Sequence, residues 1–160
     1  MNSMNNSYRL AVQIIMLLGL AALSFASCGK NEPSLSGGII TEITMTTAVD
    51  QNNRPLNPTS VFPTDADAFI CSFKLSGFPI GSKVKAEWIY IGGDPDIEAQ
   101  IGKNQVIEVQ TGTITEEGSG YTATAYPRPP LPDYTWPRGD YKVVIYVDDQ
   151  EKASVSFRVE

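Results

Sequence analysis

Residues Gly139–Val159 read GDYKVVIYVDDQEKASVSFRV. Tyr141, Val143, Ile145 and Val147 alternate with Lys142, Val144 and Tyr146, and after Asp148-Asp149-Gln150-Glu151 the alternation resumes with Ala153, Val155, Phe157 and Val159. Apolar residues at every second position mark half-buried strands, and a short polar turn between two such runs marks a hairpin. Working backwards, the same period of two recurs. It runs through Ile39, Thr41, Ile43, Met45, Thr47 and Val49, through Phe69, Cys71, Phe73 and Leu75, and through Val84, Ala86, Trp88 and Tyr90. Further strands are expected around Gln105–Gln110 and Tyr121–Tyr126.

From Ile39 onward no apolar stripe at i, i+3, i+4 and i+7 is long enough for a helix, and Pro or Gly interrupts nearly every window. The expected fold is therefore all-β, a sandwich of about seven strands over residues 39–160, with a closed barrel as the alternative. Burying a large apolar side chain contributes about 1.5 to 3 kcal/mol. Trp88, Phe157, the two Phe of the Cys71 strand and several Val and Ile are enough to hold such a domain without a disulfide.

The first 27 residues differ in kind. They carry Arg9 as their single charged side chain, then an apolar run from Leu10 to Ala26. A short positive start, an apolar stretch and small residues before a cut site describe a secretory signal peptide over residues 1–27. The run is at the lower limit for a membrane-spanning helix and contains Gln13, so cleavage is favoured over a retained anchor. Phe25-Ala26-Ser27-Cys28 resembles the lipobox of bacterial lipoproteins, although Phe25 stands where those proteins usually carry Leu or another aliphatic residue. The resemblance implies that Cys28 receives diacylglycerol and acyl chains such as palmitate, and becomes the first residue of the mature chain. Each buried CH2 is worth about 0.8 kcal/mol, so two or more chains hold a protein on a membrane stably. Residues 28–38, rich in Gly, Ser, Asn and Pro, then form a flexible tether.

Within the strand-rich part, Cys71 on the second expected strand, Trp88 on the third, and Gly139-Asp140-Tyr141-Lys142-Val143 together resemble immunoglobulin-like domains. Tyr141 looks like their tyrosine corner, two places before a buried position. In antibody members that position is a cysteine bridged to the second strand; here it is Val143, so the bridge is absent. Trp88 is expected to pack over Cys71 and Val143. With Cys28 acylated, Cys71 is the only remaining thiol, expected to be a buried hydrophobe rather than a nucleophile. The segments Gly81–Trp88, Trp136–Tyr141 and the final hairpin are also similar to small Ig-like domains of bacterial envelope proteins. The resemblance implies a fold and not an activity.

Composition excludes more than it selects. The sequence has no histidine, which removes Ser-His-Asp and Cys-His nucleophile systems and His-ligated zinc. Its 12 Lys and Arg against 18 Asp and Glu give a formal charge of -6, and the longest basic grouping is Lys83 and Lys85, so no nucleic-acid partner is expected.

The candidate sites lie in loops. Asp94, Asp96 and Glu98 alternate after the Trp88 strand, and hard oxygen ligands at such positions could hold calcium, although the pattern lacks an EF-hand core and also suits an ordinary solvated turn. No other cofactor is expected. Tyr126, Tyr134 and Trp136 lie in a proline-rich segment and could stack on a sugar or clamp a peptide; folded inward, Trp136 would instead cover the end of the core. The acid pairs Asp65 and Asp67, Asp94 and Asp96, and Asp148 and Asp149 all fall in expected turns, which disfavours an envelope enzyme using carboxylates. The chain is thus expected to be a non-catalytic binding module in the bacterial cell envelope, lipid-anchored outside the cytoplasm, whose partner is an envelope protein or glycan. A carbohydrate- or calcium-dependent surface adhesion domain is the alternative.

Overall fold

The computed structural model describes residues 37–160; the expected signal peptide, Cys28 and most of the expected tether lie outside the described residues. Eight strands and one short helix follow in order: β1 (Ile39–Thr46), β2 (Val61–Phe62), β3 (Ala68–Ser76), β4 (Lys83–Gly92), α1 (Pro95–Ile101), β5 (Gln105–Thr113), β6 (Ser119–Pro127), β7 (Gly139–Val147) and β8 (Gln150–Val159). They form a three-stranded sheet, β1-β3-β6, and a five-stranded sheet, β2-β8-β7-β4-β5. Every pairing is antiparallel except that of β2 with β8. Two separate sheets with their own edges make a sandwich and not a closed barrel.

The seven expected strands are present, the short β2 is an eighth that the sequence reading does not contain, and three further local features differ from it. The final turn is tighter. Asp148 and Asp149 alone form it, with φ of 49° and 62°, so β8 begins at Gln150 and pairs it with Val147. Two central residues with positive φ give the twist that a two-residue hairpin needs. The first strand is broken by a bulge between Thr41 and Thr44, where Glu42 takes φ 53°. The extra residue shifts the side-chain parity, so Ile40 and Met45 both reach the core while Ile39 stays exposed. The third difference is α1, which forms where only a turn is expected: Asp94 caps it and Pro95 occupies its first turn.

The core is made by both inner faces. Trp88 lies opposite Val143, and Tyr141 opposite Phe157, within the large sheet. Phe69 of the small sheet meets Phe157 at 4.9 Å between ring centroids and Phe62 at 5.0 Å, and Tyr141 stacks on Phe157 at 5.2 Å. Cys71 and Val143 have no exposed surface, and Trp88 and Tyr141 almost none. Tyr141 donates its hydroxyl proton to the Pro137 carbonyl at 2.7 Å, the bond to upstream backbone that defines a tyrosine corner.

The register also orients the domain. Ile39 and Ser119 both lie beside Ser76, whereas Pro127 lies beside Ala68 at the other end of the small sheet. The N-terminal segment therefore enters at the end that carries the β5–β6 loop, with Gly38 buried against Phe78. The proline-rich segment leaves β6 at the opposite end.

Candidate functional site

At that opposite end, residues 128–137 do not form an open aromatic platform. Trp136 is 2% exposed; its indole N–H donates to the Ala66 carbonyl at 2.7 Å and its ring lies 4.3 Å from Phe69. Tyr126 and Tyr134 meet it edge-on at 5.1 and 5.5 Å. Burial raises the pKa of both tyrosines. Of the two readings open for Trp136, exposed for stacking or folded inward over the end of the core, the structure has the inward one. The two tyrosines seal Trp136 over the core, because an indole ring that buries its face and satisfies its N–H gains more than one left in water. Arg128 anchors the segment through its pair with Asp67 at 3.1 Å, leaving Leu131 exposed beyond it.

The three acids of the expected calcium loop serve α1. Asp94 Oδ1 accepts from the Asp96 and Ile97 amides at 3.0 and 3.3 Å, which satisfies helix donors that would otherwise lack partners. Glu98 accepts from the Gly93 amide at 2.8 Å and pairs with Lys103 at 3.2 Å. Those contacts, the Gly93 N–H first, lower its pKa. The helix thus separates the roles of the three carboxylates, and among the described residues no group of three Asp, Glu or Cys converges as metal ligands would.

Of the remaining acid pairs named by the sequence, one member of each has a structural partner. Asp67 holds Arg128, and Asp148 Oδ1 accepts from the Lys83 amide at 2.8 Å. Ser82-Lys83-Val84-Lys85 has the Ser-x-x-Lys spacing of a serine–lysine dyad. Lys85, however, pairs with Glu87 at 2.9 Å and lies 4.3 Å over the Tyr146 ring.

A concavity lies along the side of the sandwich, where neither the loops nor the acid pairs pointed. Among the described residues β5 is bonded only to β4, and β6 only to β3, so each presents one edge with no strand partner there. Between them runs a cleft of about 430 Å³ with Phe73, Leu75, Val84 and Ala86 on its floor. At one end Gln110 ties the two edges: its Nε2 donates to the Ala125 carbonyl at 2.7 Å, and its Oε1 accepts from the Thr124 hydroxyl. At the other end the β5–β6 loop carries Glu116 and Glu117. Hydrogen bonds from the Ile114 amide to the Ser82 carbonyl and from the Gly77 amide to the Gly118 carbonyl hold this loop. The residues that shape the cleft leave one trace in the sequence: Gly112 and Gly120 interrupt two otherwise strand-forming runs.

No protein-family model and no curated protein sequence matches the chain. Among solved structures it is similar to an immunoglobulin-like protein from Pseudomonas aeruginosa, with a TM-score of 0.51 at 17% identity over 79% of this chain and 99% of that one. It is also similar, with a TM-score of 0.51 at 12% identity, to part of the alkylpurine DNA glycosylase AlkC of Pseudomonas fluorescens, described bound to DNA with an abasic-site analogue. That match spans 77% of this chain but only 30% of the glycosylase. At such identities the likeness speaks for the fold alone: residues 37–160 form an all-β, Ig-like sandwich.

Proposed function

We propose that this protein is a lipoprotein of the bacterial cell envelope, held on a membrane by acyl chains on Cys28, and that its Ig-like domain is a non-catalytic module binding another envelope component. The observation that carries the binding half is the open side of the sandwich, where two free strand edges flank an apolar cleft. Unpaired edges invite another chain unless they are covered, and strand addition at a sheet edge is a common mode of protein recognition. The lipobox-like residues Phe25–Cys28 support the anchoring half. The domain's geometry is compatible with it, because the chain enters beside Phe78 and residues 28–38 can span at most about 36 Å when fully extended. Neither calcium nor nucleic acid enters this reading, and its partner is a protein. With Trp136 buried and Asp94 committed to the α1 cap, the end loops lend the adhesion alternative no support.

The two halves have separate tests. Cys28→Ser in the full chain is expected to move the protein from the membrane to the soluble fraction or to leave it unprocessed; unchanged fractionation with normal maturation would reject the anchor. The full-length protein, tagged at its C-terminus and cross-linked in intact cells, is expected to capture a defined envelope protein. Recovery of the tagged chain alone would reject the binding module.

A further inference from the structure

Two glycines of the cleft have no explanation in the fold. Gly112 lies opposite Val84 and Gly120 opposite Leu75. Both partners pack against the core, and directly paired residues of antiparallel strands share a face, so both glycine positions face inward across the cleft from its two walls. Neither has a positive φ, and a Cβ built at either would meet nothing within 4 Å. A turn, a strained backbone or a close internal contact would each account for a glycine, and none is present here. Glycine inside a strand weakens it, and one of its uses is to leave room where another backbone approaches.

The chemistry of the walls indicates what approaches. Each is a strand edge with which no other described strand pairs, and apart from the Ala125 carbonyl that Gln110 reaches, its outward amides and carbonyls have the spacing of a ladder. Glu116 and Glu117 are the only charged residues among those that line the cleft. Sugar stacking would need an exposed ring, but Phe73 and Phe78 are buried, and Tyr121 is engaged by Glu42 through its hydroxyl and flanked by Arg54 and Lys74.

We propose that the cleft between β5 and β6 receives an extended segment of a partner protein, which lies between Gly112 and Gly120, directs small apolar side chains onto Phe73, Val84 and Ala86, and places a lysine or arginine against Glu116 and Glu117. This rests on the reading of the domain as a binding module and names the class of its ligand.

The probe is a labelled nine-residue peptide that alternates valine with threonine and ends in lysine, titrated onto the full chain in detergent micelles. Its controls are a twin ending in glutamate and a twin with proline at alternate positions. Binding is expected for the lysine-ended peptide, with slowed amide exchange in residues 110–124 and at least tenfold weaker binding by both twins. Gly112→Val and Gly120→Val should melt at or above the wild-type temperature, because the space is empty, and should bind the peptide at least tenfold more weakly. Glu116→Lys combined with Glu117→Lys should reverse the preference between the lysine- and glutamate-ended peptides.

Equal binding by the proline twin, wild-type affinity in both valine variants, or no exchange protection at millimolar peptide would each overturn the proposal. So would protection of the same amides by chitohexaose instead of the peptide, or a self-associating chain whose copies cover both edges. Undiminished capture of the cross-linked envelope partner by the Gly112→Val chain would overturn the cleft while leaving the binding-module reading intact.

Discussion

Cys71 carries a pH dependence that follows from where its side chain sits. Its thiol is wholly enclosed by the core, and burial, by withholding water from the thiolate, pushes its pKa from 9.0 up to about 12. Between those values the folded protein keeps a proton that the unfolded chain releases. The associated stability is therefore fully present below pH 9 and is lost as pH rises towards 12. By pH 10 the share of the loss that belongs to Cys71 should be about 1.4 kcal/mol, added to that of the buried tyrosines, whose hydroxyls are about half ionised in the unfolded chain at that pH. Urea unfolding at pH 8 and pH 10 should show that decrease in the wild-type chain and a flatter response in Cys71→Val. An equal slope in both would assign the effect to other groups. The same enclosure should make Cys71 unreactive towards thiol reagents in the native protein. Burial treats the two tryptophans differently: Trp136 gives its N–H to Ala66, whereas the Trp88 N–H, equally buried, has no partner among the described residues. An unsatisfied buried donor costs about 1 to 3 kcal/mol, so Trp88 is held by its packing between the sheets and not by a hydrogen bond.

Among the elements, the β7–β8 hairpin offers the cleanest stabilising change. Asp148 and Asp149 both adopt positive φ, a conformation that disfavours side chains, but only Asp148 is tied by its carboxylate, to the Lys83 amide. Asp149→Gly keeps that bond and removes the steric cost at the second turn position, where glycine is preferred. It is expected to raise stability by about 0.5 to 1 kcal/mol, measured as a higher midpoint in urea. The reverse change, Asp148→Gly, should gain less or lose, since it gives up the Lys83 contact. Strands such as these were legible in the sequence because their alternation is local and every inward position is apolar. Three elements were not. β2 has only Val61 and Phe62, and its partner, β8, is distant in the chain, so no window of neighbouring residues contains its cause. The bulge at Glu42 interrupts a run whose apolar residues still alternate on paper. Helix α1 is too short for a 3.6-residue period to register; its only signals are the Asp94 cap and Pro95, which equally announce a turn.

At the scale of the whole molecule, the cleft was invisible to sequence reading because it belongs to no segment. It exists because β5 ends one sheet and β6 the other, a consequence of strand order and not of any local pattern. The same order leaves the two sheets without a shared strand, so they are held together by side chains and by the chain's own crossings. Where antibody domains place a bridge between their sheets, this core has Cys71 on β3 and Val143 on β7, both fully buried. If the layers are spaced as in those domains, Val143→Cys should close that bridge. Introduced into the Cys28→Ser chain, so that the only available pair is Cys71 and the new cysteine, it should form one disulfide under oxidising conditions. Closing a loop of about 70 residues should then stabilise the fold by about 4 kcal/mol if the geometry is unstrained. Intact mass with and without reductant reads the bond, and the reductant-dependent shift of the urea midpoint reads its effect. Two free thiols after oxidation would mean that the Cβ atoms lie beyond the roughly 3.5 to 4.5 Å a disulfide needs. The sheets would then meet at this layer differently from those of disulfide-bearing Ig domains, and Trp88 would be packing across a gap that a bridge cannot span.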